Sequence, residues 1–198
     1  MTIFLATSNR GKVADFQALG LPIVELPGFA SLPAIAETGA TFEANARLKA
    51  GHYSQFAPPA AMVLADDSGL EVDALGGAPG VYSARFAGTH GNDDANNRLL
   101  LQKLNHVPKS RRTARFVCVL ALARNRRTIA TFRGTAEGHI LDAPRGSAGF
   151  GYDPLFFSDA AGAAFAELST ARKGEFSHRG AAARALLQGI GAHQANLS

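Results

Sequence analysis

Two neighbouring stretches, ARFVCVLALA at residues 114–123 and TIATFRGTAEG at residues 128–138, decide the fold predicted for this chain. The polar segment Arg124-Asn-Arg that follows the first stretch is typical of a turn, so the pattern predicts two long antiparallel strands. Cys118, the only cysteine in the sequence, lies in the first strand. No internal disulfide is therefore possible, and a buried, unreactive thiol is expected.

The rest of the chain adds shorter strands and several helices around this hairpin. The upstream strands predicted are Thr2–Ala6, Ile23–Leu26 and Met62–Ala65. Apolar residues at helical spacing predict helices after Lys12 with a stop at Gly20, from Phe42 to Tyr53, from Asn92 to Asn105, and from about Arg179 to Leu187. Strands alternate with helices early and the long hairpin comes late. This order favours an α/β fold with a mixed sheet and argues against a simple doubly wound one.

Composition sets limits on the class of protein. The 198 residues fit one domain or one domain of two lobes, with 46% hydrophobic and 18% charged residues. The formal charge of +4 suits a polyanionic ligand, although ordinary solvated surface charge explains most of the basic residues. No aromatic residues interleave with the arginines, so a nucleic-acid platform is not expected. The apolar runs are too short for a bilayer and the first residues lack a signal-peptide pattern, so the expected location is the cytoplasm.

The first candidate site is Thr7-Ser-Asn-Arg-Gly-Lys12, between a predicted strand and a helix. Backbone N–H groups at a helix N-terminus, together with a lysine, favour phosphate binding. The spacing is not that of a Walker A loop. A capped helix with a solvated lysine fits the same residues.

The second candidate site is acidic. Glu37 lies in a predicted loop, and Asp66 and Asp67 come at the end of an apolar strand. Carboxylate oxygens are the ligands that Mg²⁺ prefers, together with water and substrate phosphates. Adjacent aspartates on an extended chain point to opposite sides, so one is expected to face the site and the other to support it. A plain turn at Asp66-Asp-Ser-Gly69 is the alternative interpretation.

The third candidate site combines Phe150-Gly-Tyr-Asp-Pro154 with Ser177-His-Arg-Gly180 and Lys173. An aromatic residue beside glycine offers a flat face for a base, and His178 and Arg179 are donors suited to a carbonyl oxygen. A core aromatic, a helix-capping serine and surface cations would explain the same residues.

Six motifs occur in order along the chain: Thr-x-Asn-x-x-Lys, Glu-Thr-Gly-x-Thr-Phe, Ala-Asp-Asp-Ser-Gly-Leu, Gly-Gly-x-Pro-Gly-x-Tyr-Ser-Ala-Arg, Phe-Gly-Tyr-Asp-Pro and Ser-His-Arg-Gly. In this combination the chain resembles the inosine triphosphate pyrophosphatase family, the noncanonical purine NTP (dITP/XTP) pyrophosphatases. The resemblance extends from Leu5 to about Gly180. It implies an elongated α/β fold of two lobes around a long mixed sheet, with the active site in the cleft between the lobes. It also implies a homodimer.

The resemblance implies hydrolysis of ITP, dITP and XTP to the monophosphate and pyrophosphate, with Mg²⁺ held by Glu37 and Asp67 and with Asp67 as the general base. The phosphate-binding residues implied are Thr7, Ser8, Asn9, Arg10, Gly11, Lys12 and Lys49. The substrate-binding residues implied are Ser68, Phe150, Gly151, Tyr152, Asp153, Lys173, His178 and Arg179. The chain departs from the family at Ser8, where relatives usually have glycine, and at Ala44, where they usually have glutamate.

Two alternatives stay open. One is a pyrophosphatase for other modified nucleotides, such as pyrimidine triphosphates, on a related fold. The other is a catalytically weak module that senses purine nucleotides, which the presence of both Glu37 and Asp67 argues against. In each case the partner is a small nucleotide, and neither a nucleic acid nor a membrane is expected to bind.

Overall fold

The computed structural model describes the backbone of residues 2–195 and the side chains of residues 2–191. The strands in this part of the chain are β1 (Ile3–Leu5), β2 (Ile23–Glu25), β3 (Met62–Val72), β4 (Thr113–Arg124), β5 (Arg127–Ile140), β6 (Phe156–Ser158) and β7 (Ala163–Ala164). The helices are α1 (Arg10–Ala18), α2 (Phe42–Tyr53), α3 (Asp93–Lys103), α4 (Thr170–Phe176) and α5 (His178–Ala195). Within residues 2–195 no helix is both long and apolar enough to cross a membrane.

The strands form one seven-stranded sheet in the order β2-β1-β3-β4-β5-β6-β7. β1 pairs in parallel with both β2 and β3, whereas the pairs β3–β4, β4–β5, β5–β6 and β6–β7 are antiparallel. The α/β class and the mixed sheet predicted from the sequence are confirmed.

The long hairpin predicted from residues 114–138 is also confirmed. β4 and β5 pair from Thr113↔His139 to Arg124↔Arg127, and the turn consists of Asn125 and Arg126. Both turn residues have positive φ, at 49° and 67°, which is the conformation that a two-residue hairpin turn of the right twist requires. The hairpin therefore supplies two of the three long strands of the sheet.

β3 is longer than the sequence predicted. It continues through Asp66–Gly69 to Val72, because β4 pairs with it residue by residue, including Asp66↔Leu120 and Asp67↔Val119. The predicted strand end after Ala65 is wrong, and so is the alternative of a plain turn. Since the chain stays extended, Asp66 and Asp67 lie on opposite faces of the sheet.

Helices cover both faces of the sheet. On one face, α2 packs Ala46 and Ala50 against β3 and β4. On the other, Phe16 of α1 and Leu186 of α5 pack against a cluster that includes Cys118, which is fully buried, as predicted. A third cluster contains Leu100 and Leu104, the two positions that the helix at 92–105 was predicted to bury, with Phe156 and Phe165. The packed helices thus keep the sheet rigid, so the polar side chains that its strands carry have fixed positions.

Three short elements near the C-terminal end were not predicted: β6, β7 and α4. They have three, two and seven residues, too few for a periodic pattern to stand out. α5 also begins one residue before, and ends beyond, the predicted segment Arg179–Leu187.

Gly134 marks a close approach between β5 and α5. A Cβ atom at this position would overlap backbone atoms of His178 and Ala182. We expect Gly134→Ala to lower the free energy of unfolding by about 1–3 kcal/mol, because backbone on both sides must separate. Urea unfolding measures this loss. Gly51→Ala in α2 is the control, since its nearest neighbour would be 3.4 Å away and alanine favours a helix; equal stability of the two variants would contradict the prediction.

Candidate active site

A cleft of about 830 Å³ opens beside the C-terminal end of β1 and the middle of β3. It collects residues from all three candidate sites found in the sequence. Of the site residues predicted, the following line it: Thr7, Ser8, Asn9, Arg10, Gly11, Lys12, Glu37, Lys49, Asp67, Ser68, Phe150, Gly151, Tyr152, Asp153, His178 and Arg179. Lys173 alone among them does not. Residues more than 100 positions apart in the chain therefore share one concave surface of the size typical of ligand sites.

The loop after β1 forms one wall of the cleft. Asn9 caps α1, because its side chain accepts a hydrogen bond from the backbone N–H of Lys12 at 3.1 Å. The hydroxyl of Thr7 in turn accepts one from the N–H of Asn9. These contacts hold the start of α1 towards the cleft, where the positive end of the helix dipole favours an anion.

Lys12 and Asp66 form a buried ion pair beneath this loop. The Lys12 Nζ atom lies 2.8 Å from Asp66 Oδ2, and the Asp66 side chain is 1% exposed. Burial raises the pKa of Asp66, but Lys12, Arg179 and Lys49 outweigh burial and lower it to about 2. Asp66 is therefore ionised and supports Lys12, in keeping with the supporting position expected for one of the two aspartates.

On the opposite face, Asp67 and Glu37 converge on Lys49. Lys49 Nζ lies 2.7 Å from Asp67 Oδ1 and 3.0 Å from Glu37 Oε1. Asn45 donates to the other oxygen of Asp67 at 3.4 Å. Burial raises the pKa of Asp67, and Lys49 opposes this effect. Because both carboxylates contact the same ammonium group, they are close enough together to share one bound cation.

This pair fits a magnesium ion. Within residues 2–191 no three acidic, histidine or cysteine side chains come together as a complete metal cage. Mg²⁺ usually takes only one or two carboxylates from the protein and completes its octahedron with water and substrate phosphates. Glu37 and Asp67, which both contact the Lys49 ammonium group, match that donor set.

Another part of the cleft wall is aromatic and cationic. The ring of Phe150 packs directly over Gly11, where any Cβ atom would overlap the ring. The guanidinium carbon of Arg179 lies 5.0 Å from the centre of the Phe150 ring. The Arg179 Nη2 atom donates to the Ser68 hydroxyl at 2.9 Å, and Nη1 donates to Asp15 at 3.1 Å. Phe150 and Arg179 are therefore fixed relative to the start of α1.

Asp153 and Lys173 form a second buried pair behind Phe150. Lys173 Nζ lies 2.7 Å from Asp153 Oδ2, which also accepts the backbone N–H of Phe150 at 2.9 Å. Lys173 Nζ is 5.1 Å from the centre of the Phe150 ring, and its side chain is 4% exposed. Lys173 therefore supports the aromatic wall from beneath instead of forming part of the cleft surface.

His178 and Tyr152 are more deeply buried than the sequence suggested. The His178 ring stacks on Phe116 at 4.7 Å, and its Nδ1 atom has no partner among the described residues. Burial, with Arg179 and Lys173 adding, lowers the pKa of His178 well below its usual value, so the ring is neutral. The Tyr152 hydroxyl donates to the backbone carbonyl of Ser83 at 2.9 Å.

Several residues that line or support the cleft were not predicted from the sequence. Asp15 holds Arg179, and Asp93 accepts the N–H of Gly151 at 2.7 Å. Ser83 and Arg85 line the cleft and belong to a motif whose residues were given no role. The motif could have identified Ser83 and Arg85 as candidate site residues. Asp15 and Asp93 lie in polar helix segments, where no motif distinguishes them.

A helix N-terminus beside a lysine, paired carboxylates and an aromatic face within one α/β cleft are the features expected of a protein that binds nucleotides. Comparison with known proteins identifies the family. Residues 3–189 match the Ham1 family, and the chain belongs to this family. The resemblance found in the sequence is thereby confirmed.

The relatives cover nearly the whole chain. The dITP/XTP pyrophosphatase of Exiguobacterium sibiricum is 51% identical over 190 residues, which are 94% of this chain and 95% of that protein. The dITP/XTP pyrophosphatase of Geobacter sulfurreducens is 47% identical over 193 residues, 96% of each chain. Among solved structures, the Staphylococcus aureus Ham1 protein is 39% identical, with a TM-score of 0.83 over 98% of this chain and all of that one. The nucleoside-triphosphatase / dITP/XTP pyrophosphatase of Mycobacterium abscessus has a TM-score of 0.74 at 40% identity, covering 94% of this chain and 99% of that one.

Proposed function

We propose that this chain hydrolyses noncanonical purine nucleoside triphosphates, namely ITP, dITP and XTP, to the monophosphate and pyrophosphate. The reaction removes these triphosphates from the nucleotide pool. The observation that carries the proposal is the arrangement within one cleft: Glu37 and Asp67 gather around a cation, and Phe150 and Arg179 line the same cleft. The names of the relatives, dITP/XTP pyrophosphatases, support the same activity.

The triphosphate binds at the start of α1 in this proposal. The segment Thr7–Lys12 supplies backbone N–H groups and the positive end of the helix, and Lys49 supplies a cation from helix α2. Lys12 adds charge, although its ammonium group also neutralises Asp66. Positioning and charge stabilisation are the main contributions that such a site makes to phosphoryl chemistry.

Asp67 is the proposed general base. Water attacks the α-phosphorus, its proton passes to the Asp67 carboxylate, and the bond from the α-phosphorus to the bridging oxygen breaks to release pyrophosphate. Glu37 and Asp67 would hold a magnesium ion, which would neutralise charge on the phosphate oxygens. Burial raises the pKa of Asp67 and so makes its carboxylate a better proton acceptor. Cys118 takes no part, since burial raises the pKa of its thiol to about 12.

The purine binds against Phe150 and is recognised through its 6-oxo group. Arg179 carries only hydrogen-bond donors, so it pairs with an oxygen and cannot accept from the 6-amino group of adenine. His178 and backbone N–H groups complete this recognition. A site that leaves buried polar groups unpaired rejects the wrong substrate by ~10⁴–10⁵.

Replacement of Phe150 tests the base-binding end. We expect Phe150→Ala to raise KM for inosine triphosphate by about tenfold, since base–aromatic stacking is worth about 1–3 kcal/mol, while kcat changes less. Steady-state pyrophosphate release measures both constants. Phe56→Ala is the control, because Phe56 is 40% exposed and lies outside the cleft. An unaltered KM in Phe150→Ala would count against stacking.

A panel of nucleotides tests the function as a whole. Inosine, xanthosine, adenosine, guanosine, uridine and thymidine triphosphates are incubated with the protein and Mg²⁺, and pyrophosphate, orthophosphate and monophosphate are quantified. Pyrophosphate from the inosine and xanthosine nucleotides supports the proposal. Preference for a pyrimidine triphosphate, release of orthophosphate alone, or an intact triphosphate would each overturn it, the last in favour of a sensor.

The proposed function includes a domain organisation, a cellular location and an oligomeric state. We infer one functional domain of two lobes over residues 1–198, a cytoplasmic location and a homodimer. Neither a nucleic acid nor a membrane is needed as a partner. The three core clusters that share one sheet support a single domain, and a free buried thiol is compatible with a reducing compartment. Sedimentation analysis tests the dimer.

A further inference from the structure

Arg85 lines the cleft, but none of the roles above uses it. It is the last residue of a 3-10 turn, Gly80–Arg85, and of the motif Gly-Gly-x-Pro-Gly-x-Tyr-Ser-Ala-Arg that the sequence analysis left without a function. An arginine at this point of the wall presents a cation to the same space as Glu37 and Lys49.

The backbone around Arg85 is held in place. The Ser83 hydroxyl accepts the N–H of Leu70 in β3 at 2.9 Å and donates to the carbonyl of Gly80 at 2.6 Å. The Ser83 carbonyl accepts the hydroxyl of Tyr152. The turn is thus tied both to the strand that carries Asp67 and to the segment that carries Phe150.

The guanidinium group of Arg85 has donors to spare. Its Nη1 atom is 3.9 Å from Glu37 Oε2, beyond hydrogen-bond distance, and its carbon lies 5.3 Å from the centre of the Tyr82 ring. It makes no hydrogen bond with any of the described residues, and its side chain is 32% exposed, against 13% for Lys49. The ammonium group of Lys49, in contrast, is committed to two carboxylates.

We propose that Arg85 is a further catalytic residue, which binds oxygen atoms of the leaving pyrophosphate beside the metal carboxylate Glu37. The assignment rests on the proposed function. A guanidinium group pairs with two phosphate oxygens at once, and its planar fork needs little reorganisation. As the bond from the α-phosphorus breaks, negative charge grows on the pyrophosphate, and Arg85 stabilises that charge. The Tyr82 ring, whose centre is 5.3 Å from the guanidinium carbon, is near enough for a cation–π contact before substrate binds.

Arg85→Gln tests the assignment, with Arg98→Gln as a matched control. Arg98 is an exposed residue of α3 that does not line the cleft, and its replacement removes the same charge. Calorimetry at saturating Mg²⁺ measures binding of inorganic pyrophosphate. We expect its Kd to rise about tenfold in Arg85→Gln, the size of one charged hydrogen bond, and to stay unchanged in Arg98→Gln. For the xanthosine triphosphate reaction, kcat is expected to fall by about 10²-fold.

Arg85→Lys separates charge from geometry and is expected to fall between the wild type and Arg85→Gln in both measurements. Unchanged pyrophosphate affinity in Arg85→Gln would overturn the proposal. The proposal also fails if only Mn²⁺ binding in the absence of pyrophosphate changes, because Arg85 then acts through Glu37. Calorimetry measures binding without turnover. A wild type that binds pyrophosphate but hydrolyses no triphosphate would therefore contradict the proposed function. The comparison of variants would still decide whether Arg85 binds pyrophosphate.

Discussion

Asp67→Asn is expected to lower kcat for inosine triphosphate by about 10³-fold at saturating Mg²⁺ and to leave the fold intact. The amide has the same shape but accepts no proton from water, and general-base catalysis alone is worth about 10²–10⁴-fold. The fold is expected to tolerate the change because an amide oxygen at the position of Asp67 Oδ1 can still accept the hydrogen bond from Lys49. Lys49 also keeps its contact with Glu37 at 3.0 Å.

The measurement is single-turnover pyrophosphate release, with circular dichroism to verify folding. Asp94→Asn is the control, since Asp94 is an exposed residue of α3 away from the cleft. Activity close to the wild type in Asp67→Asn would show that another group takes the proton. Loss of activity accompanied by loss of structure in Asp67→Asn would show that the carboxylate is needed for folding.

Much of the fold could be predicted because its signals are local. The hairpin of β4 and β5, the helix α2 and the buried Leu100 and Leu104 of α3 all follow from periodicity within short windows. The extent of β3 could not be predicted in this way. Aspartate, serine and glycine favour turns by propensity, yet pairing with β4 keeps residues 66–69 extended. The pairing with β4, and not the local sequence pattern, determines the conformation of residues 66–69.

The candidate site shows the same division. Motif residues such as Lys12, Asp67 and Phe150 converge on one cleft, as the sequence predicted. The contact between Asp15 and Arg179 joins residues 164 positions apart, and no spacing rule connects them. Lys173 illustrates the reverse case: the sequence predicted a substrate-binding residue, whereas its side chain is 4% exposed and lies beneath Phe150, outside the cleft lining.

The buried pair of Lys12 and Asp66 leads to the second large effect. Lys12→Met leaves the Asp66 carboxylate, 1% exposed, without its nearest cation. Removing one partner of a buried pair typically costs about 3–5 kcal/mol, and because Arg179 and Lys49 still attract Asp66 we expect a loss of about 3 kcal/mol in the free energy of unfolding at pH 7. Urea unfolding measures the loss. Lys109→Met is the control, since Lys109 pairs with Asp142 on the open surface, where ion pairs contribute little.

The pH dependence of this loss identifies Asp66 as its source. In the wild type the folded pKa of Asp66, about 2, lies below its ordinary value of 3.8, so its ionisation stabilises the fold above that value and the stabilisation is lost as pH falls towards 2. Without Lys12, burial dominates and the folded pKa rises, so the variant loses further stability as pH rises from 4 to 7. The difference from the wild type is therefore expected to be larger at pH 7 than at pH 4. Adding Asp66→Asn to Lys12→Met should recover most of the loss, because the buried charge is then gone. A deficit that is independent of pH and persists in the double variant would mean that Lys12 stabilises the protein through its packing alone.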